Sequence, residues 1–221
     1  MKLKVSVIGV FVGFTVIAAR GAAVIAGAAT MIMILSASLA PAMEIEGIKL
    51  DEKVSLGQGG PQVVLNGAGV RYKLALVKVY VGALYLATHK NDSEEIIKNP
   101  GAKRVAMYVL ADEITAREFI ASLNNALAAN HIPAELALIE SRIRELNRLM
   151  STIGVLNKGG AVYLDYVPGS GTRVTVNGQE KGTIKGEDFF QSLLRIWIGK
   201  KPVDGRLRDA MLGTAAGARP Q

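Results

Sequence analysis

Residues 65–87 read LNGAGVRYKLALVKVYVGALYLA, and this stretch carries most of the information about the fold. The run from Val70 to Ala87 is rich in β-branched and aromatic residues, which predicts one or two strands covered on both faces for part of their length. The preceding Asn66–Gly69 segment is typical of a turn. Arg71 stands out, because an arginine inside an apolar strand is costly unless a partner or ligand compensates its charge.

Outward from this stretch, strand patterns lie on both sides of a helical middle. Asn177-Gly178 is the strongest hairpin signal, and Thr115 and Pro133 mark the starts of two central helices. The predicted strands are 44–53, 63–65, 70–87, 103–110, 161–166, 172–176 and 179–184, and the predicted helices are 91–99 with Ser93 as N-cap, 115–130, 133–153, 187–198 and 204–212. Because strands and helices do not alternate, the fold class is α+β with a mainly antiparallel sheet.

The first 42 residues differ in composition from the rest. They contain Lys2, Lys4 and Arg20 but no acidic residue, and they end in small residues at Ala40 and Ala42, as a signal-peptidase site requires. We expect residues 1–42 to be a cleaved signal peptide, which makes the mature protein periplasmic or secreted. The alternative is a retained N-terminal anchor in the inner membrane, through which the protein would contact the bilayer.

The remaining composition narrows the choice of function. The chain has no cysteine, which excludes disulfides and thiolate metal sites, and His89 and His131 have no nearby second ligand at metal spacing. No motif indicates a cofactor. Without the leader, 23 basic residues face 19 acidic ones, and no basic stripe with interleaved aromatic residues indicates nucleic-acid binding. We expect one domain over residues 43–213, followed by a disordered tail at 214–221.

Three stretches, in this order and at this spacing, resemble the chalcone isomerase-like family. They are Leu65–Arg71 followed by Val77–Leu86, then Arg104–Leu110 leading into the helix around Phe119, and finally Gly178–Ile184 followed by Phe189–Gly199 and Lys200–Val203. The resemblance spans about residues 44–213. It implies an open-faced β-sandwich, in which a large antiparallel sheet packs against a layer of helices, with a ligand cleft between them.

The resemblance also implies roles for individual residues. Arg71 matches the arginine that holds the substrate's phenolate and oxyanion in the plant enzymes. Tyr80 replaces the enzymes' threonine, as in the non-catalytic, fatty-acid-binding branch, where arginine and tyrosine together hold a carboxylate. Phe119 corresponds to the enzymes' helix tyrosine but has no hydroxyl group. Two other polar positions of the enzymes fall on or near Ala126 and Phe190, although Asn124 and Asn125 adjoin the first.

The pattern favours a binding protein over an enzyme. The leading hypothesis is an exported protein that holds a fatty acid or a polyketide-like amphipathic anion, with Arg71, Tyr80 and Phe119 as ligand-binding residues. The first alternative is an intramolecular lyase that closes the ring of a chalcone-like substrate with Arg71. The second is an envelope scaffold without a small ligand, suggested by the charged helix face at Glu140–Arg148.

Overall fold

A computed structural model describes residues 43–215 of the 221-residue chain. The predicted leader, 1–42, and most of the predicted tail, 216–221, lie outside the described residues. Within residues 43–215, no helix is both long and apolar enough to cross a bilayer.

Eleven strands and five helices make up the described part of the chain. The strands are β1 (Met43–Ile45), β2 (Ile48–Leu50), β3 (Lys53–Ser55), β4 (Gln62–Lys73), β5 (Val77–Leu86), β6 (Lys103–Val109), β7 (Glu113–Thr115), β8 (Val155–Asn157), β9 (Ala161–Val167), β10 (Gly171–Val176) and β11 (Gln179–Ile184). The helices are α1 (Ser93–Lys98), α2 (Ala116–Asn130), α3 (Pro133–Ser151), α4 (Glu187–Ile198) and α5 (Gly205–Met211).

Seven of these strands form one antiparallel sheet in the order β11-β10-β9-β6-β5-β4-β3. β6 pairs with β9 across a long connection that contains α2 and α3, so the helical middle lies between two strands that are neighbours in the sheet. This architecture confirms the predicted α+β class with a large antiparallel sheet against helices. The short pair β7–β8, which closes the connection, was not predicted.

The two faces of the sheet carry separate cores, because successive strand residues point to opposite sides. On β5, Tyr80 and Leu84 belong to the larger core under the helices. Val81, Ala83 and Tyr85 belong to a smaller core on the opposite face, which the N-terminal segment with β1, β2 and β3 helps to cover. We call these the helix face and the opposite face.

The predicted turn at Asn66–Gly69 is wrong, because β4 runs through it from Gln62 to Lys73. The glycines serve the close approach of α5: a Cβ atom on Gly67 would lie 2.1 Å from the Ala210 carbonyl oxygen. Asn66 sits at a bulge in the pairing with β5, and its Nδ2 donates to the Met211 carbonyl, 2.8 Å away. The polar and small residues therefore bind a helix to a continuous strand.

Two other local predictions need correction. The expected single strand at Glu44–Lys53 is broken by a tight turn, where Glu46 and Gly47 have φ angles of 53° and 78°. The N-cap of α1 is Asp92 rather than Ser93, because Asp92 Oδ1 accepts a hydrogen bond from the Glu95 amide at 2.7 Å. In the first case the turn at Gly47 was not predicted, and in the second the helix boundary shifted by one position.

Candidate ligand-binding site

Arg71 and Tyr80 are brought together by the register of β4 and β5. The two residues are direct cross-strand partners, so their side chains leave the sheet on the same side. Tyr80 is part of the helix-face core, which places Arg71 on the helix face as well. The Arg71 Cζ atom lies 5.3 Å from the centroid of the Tyr80 ring, within the range of a cation–π contact.

Both side chains line a cavity of about 520 Å³ between the sheet and the helices. This volume falls within the range of about 300–1,000 Å³ that is usual for small-molecule sites. Lys73, Val77 and Glu113 are exposed members of the wall, so the cavity reaches the surface. The complete wall comprises Arg71, Lys73, Val77, Val79, Tyr80, Met107, Ala111, Glu113, Ile114, Glu118, Phe119, Ala121, Ser122, Leu123, Asn125, Ile196, Trp197 and Val203.

The Arg71 guanidinium has little compensation from the protein. Its Nη2 donates to Ser122 Oγ at 3.2 Å. Its Nε is shielded from solvent and has no hydrogen-bond partner among residues 43–215. Within that range no carboxylate forms an ion pair with it. A shielded cation with free donor capacity on a cavity wall favours the binding of an anion.

Two acidic residues at or near the site, Glu118 and Asp204, are occupied by structural roles, and a third, Glu113, lies on the exposed part of the wall. Glu118 lies on the cavity wall, but its carboxylate accepts from the Thr115 amide at 3.0 Å and from Thr115 Oγ1 at 2.7 Å. These hydrogen bonds lower the pKa of Glu118, and the one from the Thr115 amide forms the capping box of α2 together with a hydrogen bond from the Glu118 amide to Thr115 Oγ1. Asp204 caps α5 and accepts from the Tyr72 amide at 2.9 Å.

Tyr80 offers a hydrogen-bond donor beside the guanidinium. It is 4% exposed, and its Oη accepts a hydrogen bond from Trp197 Nε1 at 2.9 Å. The phenol's own O–H stays free to donate, since the tryptophan occupies an acceptor position. Burial raises the pKa of Tyr80, and the positive charge of Arg71 opposes that shift only in part. Tyr80 is therefore a neutral phenol at physiological pH.

The remainder of the wall is mainly apolar. Phe119 from α2 faces the cavity together with Met107 from β6 and Ile196 from α4. A cationic group and a phenol set in an apolar wall suit a ligand with an anionic head and a hydrocarbon body. Within residues 43–215, no group of three His, Cys, Asp or Glu side chains could hold a metal ion.

The structure assembles some of the positions that the sequence singled out and separates others. Arg71, Tyr80 and Phe119 all line the cavity. Ala126 and Phe190 are buried in the helix-face core and are not part of the wall. The other polar and aromatic candidates divide as follows: Asn125 is on the wall, Asn124 lines a second groove between α2 and α3, Tyr108 and Tyr163 lie on the opposite face, and Tyr166 packs against Phe190.

Two polar residues of the cavity wall, Ser122 and Trp197, were not predicted as site residues from the sequence. Ser122 follows Phe119 by three positions on α2, so the helical spacing alone would have placed both on one face. Trp197 was assigned to the core, and it is 2% exposed, but its indole N–H needs a partner and finds it in Tyr80. The signal available in the sequence was the indole N–H itself, which needs an acceptor when the side chain is buried.

Comparison with known proteins agrees with this architecture. The family model described as chalcone isomerase-like matches residues 42–213. A solved structure, the fatty-acid binding protein of Arabidopsis thaliana, is similar with a TM-score of 0.52 and 18% sequence identity, over 73% of this chain and 96% of that one. No curated protein matches the sequence. The family model covers most of the chain, and the fold agrees with that of the plant protein. The chain therefore belongs to the chalcone isomerase-like family.

Proposed function

We propose that this protein binds a fatty acid or a similar amphipathic anion in the cavity beside Arg71, without efficient catalysis. The observation that carries the proposal is the Arg71 guanidinium, which faces the cavity and has no carboxylate partner among residues 43–215. The similarity to a plant protein whose name states fatty-acid binding supports the same ligand class. The cavity itself argues against the scaffold alternative, which predicts a filled core beside Arg71.

The head group would accept hydrogen bonds from Arg71 and from the Tyr80 O–H. Hydrogen bonds from a guanidinium to a carboxylate are shorter and about twice as strong as those between neutral groups. The hydrogen bond from Trp197 to Tyr80 polarises the phenol, which makes its O–H a better donor. The hydrocarbon part would pack on the apolar wall, where each buried CH2 group contributes about 0.8 kcal/mol.

The same wall is poorly equipped for ring closure. An oxyanion that develops during the reaction must be met by several preorganised donors, and the loss of one typically costs about 100- to 1,000-fold in rate. Phe119 brings no hydroxyl group, and Ala126 and Phe190 bring no polar group and lie outside the wall. Arg71, Tyr80, Ser122 and Asn125 remain as polar wall residues, so the lyase alternative needs a direct test.

Lipid analysis tests the binding proposal. The full chain is purified without detergent, its bound lipids are extracted, and they are quantified by mass spectrometry. We expect fatty acids or related anions at a substantial fraction of one per protein, and a loss of about tenfold or more in Arg71→Met, because a hydrogen bond to a charged group contributes about 1.5–3 kcal/mol. Arg117→Met is the matched control, since Arg117 is exposed and outside the wall.

Equal and negligible lipid in the wild type and in Arg71→Met would overturn the binding proposal. The lyase alternative is followed in the same preparations by the loss of chalcone absorbance over the uncatalysed rate. We expect no turnover above background. Turnover that disappears in Arg71→Met and persists in Arg117→Met would establish an enzyme instead.

We also propose that the protein is exported, with residues 1–42 as its signal peptide. The support is the composition of the leader: basic residues at its start, apolar runs, and Ala40 and Ala42 at its end. Fractionation of the producing cells, followed by the intact mass of the protein, tests this. A periplasmic or secreted product that begins near residue 43 is expected, and an intact chain in the membrane fraction would indicate the anchor.

A further inference from the structure

The hairpin tip between β4 and β5 exposes a cluster of apolar side chains. Leu74 is 86% exposed, Leu76 is 84% exposed and Val77 is 55% exposed. We call residues 74–77 the hairpin tip. The other exposed large apolar residues of the described range, Ile132, Leu138 and Val155, are at least six positions apart in the sequence. Isolated apolar side chains need no explanation, but a protruding cluster marks an interaction site.

The backbone of the hairpin tip makes this composition more unusual. Leu74 and Ala75 have φ angles of 54° and 61°, and the Leu76 amide donates to the Lys73 carbonyl oxygen at 3.3 Å, as in a type I′ turn. Positive φ angles at two successive turn residues favour Asn and Gly, which this chain uses in the two-residue turn at 177–178, whereas the register of β4 and β5 leaves three residues, 74–76, in the loop. Leu74 and Ala75 instead adopt the left-handed backbone conformation, and their side chains are exposed and add nothing to either core.

The hairpin tip also adjoins the cavity. Lys73 and Val77, which begin and end the turn, are both members of the cavity wall. Lys73 and Lys78 flank the tip, where Lys78 pairs with Glu46 at 2.8 Å and the charge of Lys73 helps to lower the pKa of Glu118 on the cavity wall. Apolar residues at an apex with lysines at its base match the depth profile of a bilayer surface, in which hydrocarbon lies beneath anionic head groups.

We propose that the hairpin tip inserts into the surface of a lipid bilayer that contains anionic lipids, with Lys73 and Lys78 at the level of the head groups. The tip has three large apolar side chains, whereas a stable protein interface buries about 800 Å² on each partner. This size favours a bilayer over a second copy of the chain. Insertion would turn the adjoining cavity mouth toward the membrane. The proposal goes beyond the ligand, because membrane insertion does not require Arg71.

The absence of cysteine from the sequence allows one labelled position at a time. The full chain with Leu76→Cys carries a fluorophore sensitive to polarity and is mixed with vesicles of phosphatidylethanolamine and phosphatidylglycerol whose acyl chains are brominated. Ser170→Cys is the control, since it lies in the exposed turn between β9 and β10. The strand register places that turn at the opposite end of the sheet.

We expect a blue shift and bromine quenching at position 76 and neither at position 170. In the Leu76→Cys background, Leu74→Asn with Ala75→Gly restores the preferred turn sequence, so its melting temperature should not fall. We expect the affinity of that variant for vesicles to be at least about tenfold lower, because it lacks the Leu74 side chain that would be buried in the bilayer.

Three results would overturn the proposal: no quenching at position 76, equal quenching at both positions, or full vesicle binding by the Leu74→Asn, Ala75→Gly variant. A spectral shift that grows with protein concentration in the absence of vesicles would assign the hairpin tip to a second copy of the chain. Lipid extraction from Arg71→Met tests the cavity separately, so failure of one proposal is distinguishable from failure of the other.

Discussion

Arg71 and Arg104 lie on the same sheet, but the protein treats their charges in opposite ways. On the opposite face, Arg104 donates from Nε and Nη2 to the Asp165 carboxylate at 2.6 and 2.8 Å. Its Cζ also lies 4.5 Å from the centroid of the Tyr163 ring. On the helix face, Arg71 has the Ser122 hydroxyl as its hydrogen-bond partner and a cavity beside it.

Arg104 is therefore a structural residue, whereas the guanidinium of Arg71 keeps free hydrogen-bond donors on the cavity wall. Asp165 is 1% exposed and also accepts from Arg173 Nη2 at 3.1 Å, so two guanidiniums share one buried carboxylate. That arrangement satisfies the charges within the protein and leaves little for a ligand. Arg71 keeps free donor capacity, and within residues 43–215 no carboxylate compensates its charge. The contrast leads to four predictions, given from the largest expected effect to the smallest.

The largest effect is expected from Asp165→Ala, which removes the shared carboxylate. Arg104 and Arg173 would both lose their ion-pair partner, and breaking a buried pair from one side costs about 3–5 kcal/mol. We expect the free energy of unfolding to fall by about 3 kcal/mol, measured by urea or guanidinium titration.

Glu140→Ala serves as the control for Asp165→Ala. Its carboxylate pairs with Arg144 on an exposed helix surface, and such pairs contribute less than about 1 kcal/mol. A similar, small effect in both variants would mean that the opposite face does not depend on its ion pairs.

Identical substitutions at the two arginines should have opposite effects. Arg104→Met leaves Asp165 with Arg173 as its single ion-pair partner. We expect the free energy of unfolding to fall by about 2 kcal/mol. Arg71→Met removes an uncompensated charge, so we expect no loss of stability or a gain of about 1 kcal/mol. Unfolding titrations of the two variants provide the measurement. Equal losses at both positions would show that Arg71 has a structural role and would remove the basis for the comparison.

Tyr80→Phe tests the hydrogen bond that fixes the site. Without the phenol oxygen the buried Trp197 N–H loses its acceptor, and an unsatisfied buried donor costs about 1–3 kcal/mol. We expect a decrease of about 1 kcal/mol in the free energy of unfolding, with a reduced content of bound lipid. Tyr72→Phe is a suitable control, because Tyr72 lies outside the cavity wall. Unchanged lipid in Tyr80→Phe would exclude a role for the phenol in holding the head group.

The pH dependence of stability provides a fourth test, because a buried lysine of the helix face and the buried tyrosines of both faces contribute with opposite signs. On the helix face, burial lowers the pKa of Lys103 to about 8. Between pH 8 and 10 the unfolded chain therefore binds more protons than the folded one at this site, and stability rises with pH. On the opposite face, burial raises the pKa of Tyr85 to about 12, so above pH 10 the folded chain holds more protons and stability falls.

We expect a maximum of stability near pH 10 that exceeds the value at pH 8 by about 1 kcal/mol. Unfolding titrations across this range provide the measurement. In Lys103→Met the rise between pH 8 and 10 should vanish, while the fall above pH 10 should persist. A rise that survives in Lys103→Met would assign it to other groups.

Much of the fold could be read locally, and the largest failure has a cause that lies far away in the sequence. Helix α4 at Glu187–Ile198, the Asn177-Gly178 turn and the Thr115 cap were all placed correctly, because each depends on residues within a few positions. The Asn66–Gly69 segment was taken for a turn because glycine marks turns as well as close contacts. The reason for its glycines lies in α5, about 140 residues later in the chain.

The sequence alone indicated the α+β class, the five helices and most of the strands in their order, and the family that the ordered motifs resemble. It also singled out Arg71, Tyr80 and Phe119. Only the tertiary structure decided that Arg71 lies on a cavity without a carboxylate partner in the described range, while Arg104 is paired with Asp165, 61 residues later. The reason is that charge compensation depends on all neighbours in space. Local sequence indicates only where a charge lies along its own strand.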